Sequence, residues 1–299
     1  MPINSFIYPA NTLQVGNAEG IFAYGGTGSF VSMSNLVSDA GVISTDVTGV
    51  GTARYAPAAC EYGGDKGIYG FGYTGSGVSM TNLVSNAGVI STDVTGVGTA
   101  RYYLSACEYG GDKGIFGYGY TGSATAVTNL VSNAGVVATD TTGVGTARHA
   151  VAACEYGGDK GIFGYGEANL SMTNLVSNAG VVSTDVTGVG TARAEVAACS
   201  YGDDKGIFGW GVNSYTGGKY STTNLVSNAG VVSTDVTGVG TGRKALAACE
   251  YGQDKGIFAY GYTSSYVSMS NLVSNVGVVS TDVTGVGTSR SNVKGCSFN

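Results

Sequence analysis

A twenty-residue phrase, NLVSNAGVVSTDVTGVGTAR, returns six times with small variations, and its final arginine falls at Arg54, Arg101, Arg148, Arg193, Arg243 and Arg290. The steps between those arginines are 47, 47, 45, 50 and 47 residues. A period of this size, filled with strand-like runs of Val, Ile, Leu, Phe and Tyr, belongs to four-stranded propeller blades rather than to helical or leucine-rich solenoids. The expected fold is all-β: a six-bladed β-propeller with four antiparallel strands per blade. Repeats run unbroken from about residue 20 to residue 299, so 1–299 is read as one closed body without a linker.

The unit between Arg54 and Arg101 yields four strands in order: A over 55–62, B over 67–73, C over 79–85 and D over 89–94. Gly63-Gly64-Asp65-Lys66 makes the A–B turn and Asn86-Ala87-Gly88 the C–D turn, where glycine supplies left-handed backbone. Both hairpins fall at one end of the blade, which sends the B–C and D–A connections to the other. On strand B, Tyr69 and Phe71 are expected on one side, with Ile68, Gly70 and Gly72 on the other. Bulk facing glycine lets each blade nest against the next, so these aromatics read as core.

Cys60, Cys107, Cys154, Cys199, Cys249 and Cys296 each follow a repeat arginine by six residues. Equivalent positions on neighbouring blades are expected to lie farther apart than the Cα separation of about 4.4–6.8 Å that a bridge needs. They read as small buried apolar residues in a reducing compartment. The C-terminal segment keeps both Arg290 and Cys296, whereas residues 8–14, also in register with strand A, place Leu13 at the cysteine position. The C-terminal strand is therefore expected to complete the first blade, closing the ring by pairing the chain's two ends and removing an exposed edge.

Charge is sparse: 14 Lys and Arg against 20 Asp and Glu, a net of -6. One Arg and usually one Lys at fixed places in each repeat make no basic groove, so nucleic acid is not an expected partner. Neither a basic leader with an apolar stretch nor a run of membrane-spanning length is read, so a soluble protein made in the host cytoplasm, with no membrane partner, is expected.

An arginine opening an Ala-rich strand, followed by an aromatic strand ending in glycine, resembles kelch-type propellers. The KGIFGYG and NLVSNAGVV repeats are similar to those of repeat proteins encoded by marine phages and environmental viral sequences, often tail-associated or structural. That resemblance spans nearly the whole chain. It implies a virion adsorption or structural role, with other virion proteins as further partners, and brings no catalytic residue with it.

Comparing the six copies locates the variation. Length changes fall only in the B–C loops, the shortest over 164–172 and the longest over 209–222. Sequence changes concentrate just after each arginine, where the first position reads Tyr55, Tyr102, His149, Ala194, Lys244 and Ser291, and the second includes Tyr103, Glu195 and Asn292. Both regions meet at one mouth of the ring, and loops on a rigid scaffold are where binding is installed. Expected ligand contacts are Tyr55, Tyr102, Tyr103, His149, Glu195 and Lys244 near the centre. Around them come Phe30, Glu167, Asn169, Asn213, Tyr215, Lys219, Tyr220, Tyr262 and Tyr266. Tyrosine, with a broad ring and a hydroxyl, suits sugars, so the expected partner is a glycan or another host-surface ligand.

The alternative is an ester or phosphoester hydrolase at the same mouth, with His149 as general base, Glu195 beside it and Lys244 stabilising negative charge. A virion spacer without a pocket is a third reading. No cofactor and no metal site is expected: no zinc-like His/Cys spacing and no nucleotide-binding strand–loop–helix unit occurs. Asp46, Asp93, Asp140, Asp185, Asp235 and Asp282 read as structural partners of the arginines or turn formers. Glu61, Glu108, Glu155 and Glu250 could ring one end of the channel and attract a cation, with pairing to hairpin lysines such as Lys66 the preferred expectation.

Overall fold

The structure, a computed structural model, describes residues 17–299. Strands β1 (Glu19–Ala23) and β2 (Ser34–Val37) come first. Five triplets follow: β3 (Ala58–Tyr62), β4 (Lys66–Tyr73) and β5 (Gly77–Val84); β6 (Ser105–Tyr109), β7 (Lys113–Gly117) and β8 (Thr128–Val131); β9 (Ala152–Tyr156), β10 (Lys160–Gly166) and β11 (Leu170–Val176); β12 (Ala197–Tyr201), β13 (Lys205–Val212) and β14 (Lys219–Val226); β15 (Ala247–Tyr251), β16 (Lys255–Tyr262) and β17 (Tyr266–Val273). The last strand, β18 (Lys294–Phe298), pairs antiparallel with β1, Glu19 opposite Phe298 and Ala23 opposite Lys294. Each triplet is one sheet, and the sixth sheet has the order β18-β1-β2. The C-terminal strand thus completes the first blade as expected; the rival segment at residues 8–14 lies outside the described residues. Among the described residues no helix is long and apolar enough to cross a membrane.

Packing between blades repeats around the whole circle. A Cβ placed on Gly114 would lie 2.6 Å from Cys60 Sγ, so each cysteine fills the space left by a glycine on the next blade. The same contact joins Cys249 to Gly20 and Cys296 to Gly67, which closes the ring. All six cysteines are buried and free.

The strand-B aromatics depart from the expected alternation. Phe71 sits at a register shift with φ 62°, and Tyr24, Tyr118, Tyr165, Trp210 and Tyr260 share that left-handed backbone, with φ between 61° and 64°. The bulge turns Phe71 toward the third blade while Tyr69 faces the first, so the two rings lie on opposite faces of the strand. Each bulge ring meets an aromatic of the following blade: Phe71 with Phe116 at 5.2 Å, and, across the closure, Tyr260 with Phe22 at 5.6 Å.

The repeat arginines explain why the bulge survives. Arg148, 2% exposed, donates from Nε to the Tyr165 carbonyl (2.9 Å), from NH1 to the Thr146 carbonyl (3.2 Å) and from NH2 to Asn174 Oδ1 (2.6 Å). Its guanidinium also lies 4.3 Å from the ring centroid of Tyr118 on the preceding blade. Asp185 stands 3.7 Å away and accepts from the Thr146 backbone and hydroxyl. The aspartates are structural partners as expected, each serving the arginine that opens its own blade; in the first blade Asp46 reaches Thr288 and Arg290 across the closure.

Two strand expectations need correction. Segment D forms no continuous ladder: Val84 bridges Ile90 and Thr81 bridges Val94, and between them one backbone bond, Ser91 N–H to the Leu83 carbonyl (2.8 Å), is joined by side-chain bonds. Asn82 Nδ2 donates to the Ser91 carbonyl and Ser91 Oγ accepts from the Leu83 N–H. Each blade is therefore three strands with a fourth, outer segment stitched on. Segment A keeps regular pairing only from Ala58, because Ala56 adopts φ 51°.

Candidate functional site at the ring mouth

Ala56 has counterparts in Tyr103, Ala150, Glu195, Ala245 and Asn292, all with φ between 51° and 55°. Their backbones form a closed circuit. Ala56 N–H donates to the Asn292 carbonyl (3.2 Å), Asn292 to Ala245 (2.8 Å), Ala245 to Glu195 (3.3 Å), Glu195 to Ala150 (3.3 Å), Ala150 to Tyr103 (2.8 Å) and Tyr103 back to Ala56 (3.2 Å). Left-handed backbone costs a residue with a Cβ roughly 1–2 kcal/mol, and here the neighbouring blades impose it at six positions. This throat fixes the six variable lead-in segments around one opening. The other end carries the hairpins, where Asn86 Nδ2 meets Asp65 of the A–B turn.

On one side of the throat the side chains form a continuous aromatic belt. Phe30 stacks on Tyr55 (5.8 Å, 10°), Tyr55 meets Tyr73 and Tyr103, Tyr73 and Tyr103 both meet Tyr102, and Tyr120 joins Tyr102 to His149. The Tyr55 hydroxyl donates to the Tyr103 hydroxyl at 2.6 Å, locking two rings. Burial lowers the pKa of His149, with Glu167 and Glu195 acting in the opposite sense.

On the other side lies a cavity of about 270 Å³ lined by Glu167, Glu195, Val212, Asn213, Ser214, Gly217, Lys219 and Lys244. Lys244 Nζ donates to Glu195 Oε1 at 2.9 Å. Asn213 shapes the longest B–C loop, its Oδ1 accepting from Asn169 and from the N–H groups of Tyr215 and Thr216. Ser214 Oγ is buried without a hydrogen-bond partner among the described residues. Tyr262 packs edge-on against Tyr266 (5.5 Å), 6.0 Å from Lys219 Nζ.

Of the residues expected at the mouth, Tyr55, Tyr102, Tyr103 and His149 fall in the belt, and Glu195, Lys244 and Asn213 in the cavity wall. Tyr262 and Tyr266 flank Lys219, and Tyr215 is 78% exposed at the loop tip. Tyr220 on β14 takes part in neither set. Tyr73, Tyr120 and Ser214 also lie at the mouth without having been expected there; for the two tyrosines the signal is the Gly-Tyr-Thr ending of strand B, and Ser214 has no such signal. No hydrogen bond joins His149 to Glu195 among the described residues; the carboxylate is taken by Lys244.

Beneath the throat the strand-A residues line a narrow axial channel, ending at Glu61, Glu108, Glu155, Ser200 and Glu250. Among the described residues Glu61 accepts from the Ser297 N–H at 2.6 Å rather than from Lys66, and Lys66, Lys113, Lys160, Lys205 and Lys255 each bind the aspartate just before them. Burial, reinforced by mutual repulsion, raises the pKa of Glu250 and pushes Glu155 up to about 8. An acid with a raised folded-state pKa contributes stability that is complete below the unfolded value and lost as pH rises through the folded one. Melting temperature is therefore expected to fall as pH rises from about 4.5 to about 8, and Glu155→Gln to reduce that slope while stabilising the protein at the alkaline end by on the order of 2 kcal/mol. An unchanged slope in thermal melts of the variant would refute this. Compared with protein-family models and with curated proteins, the chain matches none.

Proposed function

We propose that the chain is a non-enzymatic binding module that takes a glycan or similar hydroxylated host-surface ligand at the mouth. The observation that carries this reading is the pairing of a seven-ring aromatic belt with a charged cavity of about 270 Å³ on the face where the repeats differ. Sugar faces pack on aromatic rings while hydroxyls take the polar groups of the cavity. The propeller supplies rigidity, and the throat circuit holds the contact residues in place before a ligand arrives. Adsorption to a host as part of a virion is proposed with it, on the likeness of the repeats to those of phage structural proteins.

Glycan-array binding by the purified protein tests the reading. In the variant Tyr102→Ala, Tyr103→Ala, His149→Ala, affinity is expected to fall by about 1.5–3 kcal/mol, roughly tenfold to a hundredfold, at about 0.5–1 kcal/mol for each of the three lost rings. Binding retained in full by the folded variant would remove the belt from the site.

A further inference from the structure

One blade breaks the symmetry of the channel. Four residues after the repeat arginines the chain has Ala58, Ser105, Ala152, Ala197, Ala247 and Lys294, so a long amine stands where every other blade has a small side chain. Lys294 lines two adjoining chambers of about 20 and 40 Å³, the upper one walled by Tyr103, Glu195 and Asn292, the lower by Ala59, Ala106 and Ala153. They have room for a molecule of a few heavy atoms and none for a sugar ring.

Lys294 is half-buried, and its amine makes no hydrogen bond or ion pair among the described residues. Of the groups around it, Tyr103 is bonded to Tyr55, Lys244 is bonded to Glu195, and the far glutamates lie at the other end of the channel. Only Glu195 acts on Lys294 through space, and it is already paired. Burial brings the amine's pKa down to about 8. The hairpin lysines differ: the hydrogen bonds that Lys113 and Lys160 donate to Asp112 and Asp159 raise their pKa values. A half-buried amine lining a narrow channel, with its pKa drawn down toward neutrality, is an environment in which lysine acts as a nucleophile toward carbonyls.

We propose that Lys294 is a carbonyl-capture site, whose Nζ condenses with a short unbranched aldehyde entering through the mouth. The nitrogen lone pair attacks the carbonyl carbon and the oxygen takes a proton to give a carbinolamine. The C–O bond then breaks, the hydroxyl leaves as water with a second proton, and a C=N bond forms. Amine and aldehyde become imine and water, with no change of oxidation state. This is independent of which ligand occupies the wider mouth.

The test is reductive trapping. The full chain is treated with acetaldehyde and cyanoborohydride at about pH 7 and its peptides are mapped by mass. Ethylation of Lys294 is expected to run at least about tenfold faster than that of Lys113 or Lys160, because far more of its amine is unprotonated. Its rate should rise with a midpoint near pH 8, and benzaldehyde should fail to label it. Lys294→Ala, which restores the residue of four other blades, should lose this adduct and keep the slow surface labelling. Labelling of Lys294 no faster than the hairpin lysines, or labelling by benzaldehyde at the acetaldehyde rate, would overturn the proposal.

Discussion

Removing residues 291–299 is expected to abolish the cooperative monomeric fold. The segment supplies all five residue pairs between β18 and β1. It carries Asn292, which both donates to and accepts from its neighbours in the throat circuit. It also buries Val293, Cys296 and Phe298, each at most 1% exposed. Burial at about 1.5–3 kcal/mol per large apolar side chain, with about 1 kcal/mol net per backbone hydrogen bond, puts the loss on the order of 10 kcal/mol, comparable with the whole stability of a domain. The damage also exposes the inner edge of β1 to pairing with another chain. Size exclusion with circular dichroism should show soluble oligomers or aggregate and no sharp melt, and a synthetic peptide of residues 291–299 should restore monomer. A monomeric truncation with the parent melting temperature would show that β18 is not what closes the ring.

What was legible in the sequence follows from what repeats can encode. Six equivalent copies fix blade number, the hairpin turns and the cysteine positions, because each must satisfy the same packing six times. The closing strand was legible because Arg290 and Cys296 keep their register. The aromatic facing on strand B was not, since alternation assumes extended backbone and Phe71 is left-handed. The incentive for that bulge is the arginine's claim on the Phe71 carbonyl, a contact between residues 17 apart in the chain. The D ladder is interrupted for a related reason: the Asn82 and Ser91 side chains take the Ser91 carbonyl and the Leu83 N–H, which a strand pattern assigns to the main chain, and leave only Ser91 N–H bonded to the Leu83 carbonyl. At the mouth, comparing copies found the variable rings and the Lys244–Glu195 side. It could not show that the site splits into a belt and a cavity, which depends on where loops of unequal length come to rest. Lys294 lies at the start of β18, four residues after Arg290 and beyond the two lead-in positions that differ most between copies.

Arg148→Met is expected to destabilise the protein by about 3–5 kcal/mol, the range for breaking a buried charge network by removing one partner, with a fall in melting temperature of roughly 10 °C. The size follows from what is left behind. The Tyr165 carbonyl, the Thr146 carbonyl and Asn174 Oδ1 lose their donors, and Asp185 loses the cation that balances it. The bulge at Tyr165, φ 63°, then keeps its strain without the bond that offsets it. Arg148→Lys should recover little, because one ammonium cannot reach three acceptors set at the edges of a planar fork or stack on Tyr118 as the guanidinium does. His149 and Ala150 follow this arginine directly, so the same clamp that holds the blade also sets the height of the throat and of the belt above it. Ligand affinity should accordingly drop in Arg148→Lys even under conditions where the variant is fully folded, while a substitution at the outer segment such as Val181→Thr leaves both stability and binding near the parent. Calorimetric melts beside binding isotherms separate the cases. A Lys variant within 1 kcal/mol of the parent, binding normally, would mean that the arginine fills space and that its hydrogen bonds do not organise the mouth.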